Sequence, residues 1–216
     1  MFEIKAKFSK CLITISFPFL MLFTAFLLLN DNIAIVWGVL AAVVHELGHL
    51  FAMYLKKCLP SQIHIQVFSV DIIATNNTQR DYKTDVLILL AGSLANLGLS
   101  LLLFLLYKCL KALFLVDFTY ANLFLAIFNM LPIEALDGGQ LVFNLLIRKI
   151  KIKTAEKLSI FISFFSVLPL AVLGFYTLLQ SKYNFSLFFL SCYLIATLLF
   201  KTKNIFINEK FPVSKN

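Results

Sequence analysis

IAIVWGVLAAVVHELGHLFAMYL, residues 33–55, is an apolar run with His45, Glu46 and His49 near its centre. A helix of roughly 20 apolar residues crosses a bilayer, so this stretch reads as a membrane span. His45 and His49 stand at i and i+4, one turn apart on one helical face, where both imidazoles can reach a single Zn²⁺. Glu46 between them is the residue type that takes a proton from a metal-activated water. A charged side chain in hydrocarbon costs roughly 2–3 kcal/mol or more, so three ionisable groups here point to function.

The rest of the chain fits that reading. Of 216 residues, 61% are hydrophobic and 14% charged, and mean hydropathy is +0.91. A soluble domain of this length cannot hide so much apolar surface, which makes this an integral membrane protein with the lipid bilayer as partner. The net charge of +8 comes from Lys and Arg flanking hydrophobic runs. That is a signature of membrane orientation and anionic-lipid contact. No basic and aromatic groove interleaves them, which excludes a nucleic-acid partner. Cys11, Cys58, Cys109 and Cys192 form no CxxC pair and read as small apolar helix residues.

Six membrane segments are expected, at residues 11–29, 33–55, 86–107, from 118 to a break at 131–132, 158–179 and 185–200. Lys5, Lys7 and Lys10 precede the first, which reads as an uncleaved helix rather than a signal peptide. With the N-terminus in the cytoplasm, sixteen of nineteen Lys and Arg fall on the cytoplasmic side, leaving Lys108, Lys111 and Lys182 outside. Six spans preserve that asymmetry, so both termini are expected inside, with residues 201–216 a cytoplasmic tail. Residues 61–75 alternate polar and apolar and then turn β-branched, which predicts a short β-ribbon at the membrane surface, set against an ordinary loop. The free edge of a ribbon can pair with an extended peptide. The expected fold class is therefore an all-α polytopic membrane protein, one domain over residues 1–216, with a surface β-ribbon and one broken helix.

A catalytic zinc takes three protein ligands and leaves a fourth position for water. His64 is the only other histidine and sits in the expected ribbon, so a carboxylate at membrane depth should supply the third ligand. The segment Asn129-Met-Leu-Pro132-Ile-Glu134-Ala-Leu-Asp137-Gly138-Gly139 offers one. Pro132 breaks the helix, and Gly138 and Gly139 allow a tight turn beside Asp137. Broken helix in a membrane lines a protein-buried or wet site. His45 lies about 18 Å into its helix at 1.5 Å per residue, and Asp137 reaches a similar depth. Glu134 is the rival to Asp137. In the third segment, Ala91-Gly92-Ser93-Leu94-Ala95-Asn96 brings small residues that allow close helix packing, and Asn96 either bonds across helices or stands near the site.

These three motifs, in this order, resemble the site-2 protease family of intramembrane zinc metalloproteases, over residues 33–146. The resemblance implies His45, His49 and Asp137 as ligands of one Zn²⁺, Glu46 as catalytic base and Asn129 as a substrate-holding residue; Asn96, read as standing near the site, would bond a ligand loop or the substrate backbone. It implies cleavage of a single-span membrane protein or peptide within or near its transmembrane segment, in a bacterial plasma membrane. An arrangement of six spans, with the zinc motif on span two, is similar to the branch that processes a sporulation sigma factor. Ser93 stands where the family often carries Pro. The length leaves room for neither that branch's nucleotide-sensing domain nor a PDZ domain. Two other functional classes compete. An inert zinc-binding scaffold or sensor would need the ligands but not Glu46. A metal transporter would show paired broken helices in repeated halves, and only one broken segment is evident.

Overall fold

The computed structural model describes residues 3–8, 11–16, 34–58, 60–65, 70–74, 81–180 and 186–210. Six helices dominate them: α1 Ala34–Leu55, α2 Tyr82–Leu110, α3 Leu113–Asn129, α4 Asp137–Ile147, α5 Ile152–Gln180 and α6 Ser186–Lys210. Four strands accompany them: β1 Glu3–Phe8, β2 Cys11–Ser16, β3 Pro60–Ile65 and β4 Val70–Ala74. Among the described residues, three stretches are long and apolar enough to cross a membrane: Ile35–Leu55, Tyr82–Leu110 and Ile152–Gln180. Leu113–Asn129 and Leu187–Thr202 are apolar but shorter. The chain divides into two compact units, Met1–Ile127 and Phe128–Asn216.

In the first unit the strands form one sheet in the order β1-β2-β3-β4. β1 and β2 are antiparallel, as are β3 and β4, while β2 and β3 run parallel, Leu12 beside Gln62 through Ile15 beside Ile65. This corrects the first expected membrane segment. Residues 11–16 are a strand, and 17–29 lie outside the described residues. The physical signal was present: Glu3-Ile-Lys-Ala-Lys-Phe8 alternates polar and apolar, and Ile13-Thr14-Ile15 is β-branched. The length of the apolar run that follows masked it. The sheet also moves the edge. β3 is paired on both sides, so the outer strands are β1 and β4.

α1 buries Ala41, His45, Gly48, His49, Ala52 and Met53, a single stripe at helical spacing. Leu47, Phe51 and Tyr54 on other faces are exposed, as lipid-facing side chains would be. α1 ends where Lys57 takes the left-handed conformation at φ 54°, and the Cys58 N–H reaches back to the Met53 carbonyl at 3.0 Å. α2 packs on α1. It ends at Lys111, left-handed at φ 52°, whose N–H bonds the Tyr107 carbonyl at 2.8 Å. The expected loop 108–117 thus shrinks to two residues, and α3 begins five residues earlier than the sequence suggests. Trp37 stacks on Phe114 and Phe118, with ring centroids 6.0 and 5.2 Å away, tying α1 to α3.

The second unit is built on the α5–α6 pair. Gly174 allows it: a Cβ there would meet the Phe188 nitrogen at 2.9 Å, so the two helices approach at backbone distance. Val167 of α5, Leu194 and Leu198 of α6, and Ile133 of the segment before α4 form its core.

Candidate functional site

The histidine pair sits as its spacing predicts. His45 and His49 are 5% and 7% exposed. Their Nε2 atoms lie 3.1 Å apart, with the rings edge to face. Two nitrogens on one tetrahedral zinc, each about 2.0–2.1 Å from it, are separated by roughly 3.3 Å, so the pair fits that ion. His49 Nδ1 lies 2.7 Å from the Ile88 carbonyl. A carbonyl only accepts, so Nδ1 carries the proton and Nε2 holds the lone pair a metal needs. α2 therefore sets the tautomer of an α1 ligand. Glu46 follows His45 on the same helix and is half-buried.

Two glycines make that contact possible. A Cβ on Gly48 would fall 2.6 Å from the Ala91 carbonyl oxygen and 2.8 Å from Ala95 Cβ. A Cβ on Gly92 would fall 2.5 Å from His49 Nε2 and 2.7 Å from His45 Cε1. The small-residue motif of α2 is thus the floor under the imidazoles. One turn beyond Gly92, Asn96 is 0% exposed, and among the described residues neither its amide nitrogen nor its carbonyl oxygen has a hydrogen-bond partner. Ser93 Oγ is likewise buried and unpartnered. Orphaned polar atoms at such depth are expensive and call for an explanation.

Asn122 was missed by sequence reading. It is fully buried on α3; its amide N–H donates to the Phe118 carbonyl at 2.8 Å, while its Oδ1 has no partner among the described residues. Ser100 Oγ donates to the Thr119 carbonyl at 3.3 Å, which fixes the register of antiparallel α2 and α3. One turn from that contact, Asn96 and Asn122 stand level. An isolated Asn in an apolar run carries no motif; its burial depends on the α2–α3 register, which no local pattern displays.

In the second unit the helix break falls as Pro132 predicts. Asn129 is the last residue of α3, residues 130–136 are non-helical, and Asp137 opens α4, where a carboxylate also favours the helix dipole. Gly138 and Gly139 serve a different purpose from the one expected. No glycine has positive φ; a Cβ on Gly138 would strike the Met130 and Leu131 carbonyls, and one on Gly139 the Ile133 carbonyl. They let α4 lie against the backbone that precedes it. Glu134, the rival ligand, is engaged elsewhere: its carboxylate pairs with Lys201 of α6.

The chain is similar to several known proteins. The model for peptidase family M50 matches residues 110–170. Stage IV sporulation protein FB of Bacillus subtilis is 26% identical over 146 residues, 66% of this chain and 51% of that protein. The chain thus spans about half the length of that curated relative. The solved structure of the site-2 protease from Methanocaldococcus jannaschii superposes with a TM-score of 0.66 at 18% identity, covering 93% of this chain and 95% of that one, and so shares its fold. The chain is thus similar to peptidase family M50 over residues 110–170 and has the fold of a solved site-2 protease.

Proposed function

We propose that this protein is a zinc-dependent intramembrane endopeptidase that hydrolyses a peptide bond within or near a transmembrane segment of a membrane-bound substrate, as in regulated intramembrane proteolysis. The observation that carries the reading is the convergence of the two Nε2 atoms at 3.1 Å with His49 Nδ1 held by Ile88. His45, His49 and Asp137 have the donor chemistry to hold the ion. Bound there, zinc would activate a water and polarise a carbonyl.

The chain's own groups do the rest. The Glu46 carboxylate takes a proton as the water oxygen bonds to the substrate carbonyl carbon. The same proton then passes to the departing amide nitrogen as the C–N bond breaks, releasing an amine. The Asn96 and Asn129 amides hold the substrate backbone, and an amide N–H aimed at the developing oxyanion would stabilise it. The unpartnered amide of Asn96 supports this, since a polar group left without protein partners is available to a ligand. A substrate helix hides its carbonyls in internal hydrogen bonds and must unwind before attack. The strand it yields can add to an outer strand of the sheet, β1 or β4. The cluster Arg148, Lys149, Lys151, Lys153 and Lys157 favours the cytoplasmic side of the membrane for the α4–α5 connection.

The test is Glu46→Gln in the full chain, co-expressed with single-span candidate substrates. It should keep zinc at one ion per chain, cleave nothing, and trap bound membrane peptides. Cleavage at the wild-type rate would overturn the mechanism.

A further inference from the structure

The segment carrying Asp137 is fastened at two consecutive residues, both times by the α5–α6 pair. Ile133 is 0% exposed and packs among Val167, Leu194 and Leu198. The next residue, Glu134, donates its backbone N–H to Ser163 Oγ at 3.0 Å, and that hydroxyl donates to the Ser159 carbonyl at 2.8 Å. The Glu134 carboxylate then meets the Lys201 ammonium. On α6, Ser191, Leu194 and Leu198 are the buried face, and Lys201 lies three residues further along that face. The cation is thus placed by the packed stripe of the helix.

We propose that Glu134 and Lys201 are a positioning pair, a latch through which α6 holds the 130–136 segment and so sets where Asp137 stands. The functional meaning rests on Asp137 being a zinc ligand; the latch itself does not. The side chains differ in exposure, 13% for Glu134 and 48% for Lys201. Removing Lys201 strands a carboxylate in a poorly solvated place, whereas removing Glu134 leaves a lysine that can reach water. The two single variants should therefore be unequal, and the double variant should be milder than their product.

The test uses the full chain in detergent, stripped of metal, and reads hydrogen–deuterium exchange of amides 133–137. Lys201→Met should speed their exchange roughly tenfold, the size of a coupling between contacting partners, and leave the amides of α2 unchanged. Glu134→Gln should do less. Lys201→Arg, and the double variant Lys201→Met with Glu134→Gln, should return towards wild type. Zinc titration of the same proteins should show Lys201→Met weakened and Lys201→Arg restored. Wild-type exchange in Lys201→Met, or failure of both restoring variants, overturns the latch. If wild type binds no zinc while the exchange pattern holds, the zinc reading fails and the latch stands.

Discussion

Gly92→Ala is the sharpest perturbation the geometry offers. The added methyl carbon would sit 2.5 Å from His49 Nε2 and 2.7 Å from His45 Cε1, against an ordinary contact of at least 3.4 Å. Both rings must retreat by roughly 0.6–1 Å, while metal–ligand distances tolerate about ±0.2 Å. If His49 rotates, it gives up its 2.7 Å bond to the Ile88 carbonyl, about 1 kcal/mol, and a strained rotamer adds about 0.5–1.5 kcal/mol. The alternative, a wider α1–α2 spacing, falls in the range of about 1–3 kcal/mol for an overpacked core. Either way the fold should survive and the site should not. Zinc measured by atomic absorption on purified protein should fall well below one ion per chain. Cleavage should drop by at least about 100-fold, as for a 1 Å misplacement of reacting groups. Gly98→Ala on the same helix is the control. A Cβ there meets nothing within 4 Å, so zinc and cleavage should be retained and stability should hold or rise by roughly 0.5–1 kcal/mol. Full zinc occupancy and near-normal cleavage in Gly92→Ala would refute the reasoning.

Other expectations follow from the same site. Asn96→Leu removes an amide with no protein partner among the described residues, so thermal unfolding in detergent should be unchanged or later, while cleavage falls by about 10²-fold. Unaltered cleavage would show that Asn96 does not touch substrate. Asp137→Asn should weaken zinc binding, read by competition with a chromophoric chelator, by more than the roughly 10–100-fold that loss of an outer-shell partner costs. Zinc bound as tightly as in wild type would remove Asp137 from the ligand set. Stripping the metal with a chelator should abolish cleavage reversibly, with Zn²⁺ alone restoring it; activity persisting in metal-free protein would rule out zinc chemistry.

The sequence was most legible where one helix or one residue settles the geometry. His45 and His49 need only helical spacing to converge, and Pro132 by itself removes the donor that a continuous helix requires. Legibility failed where partners lie far along the chain. The Asn122 level with Asn96 depends on the α2–α3 register, and the occupation of Glu134 by Lys201 depends on how α6 packs against a segment sixty-seven residues earlier. Gly138 and Gly139 were recognised as special for the wrong reason, because close backbone approach and left-handed turning both select glycine. The sheet was hidden differently. Residues 11–16 carry strand period, but they abut a longer apolar run whose hydropathy dominates any window that includes both.

The parallel pairing of β2 with β3 also orders events during synthesis. Leu12 waits for Gln62, with α1 emerging between them. The β1–β2 hairpin can close locally within microseconds, but the four-stranded sheet is completed only after the helix bearing both histidines has been made. At about 5–20 residues per second, that interval lasts seconds. The β2 edge is therefore left without its β3 partner for those seconds, and anything that binds β2 in that interval competes with β3 for the same backbone groups.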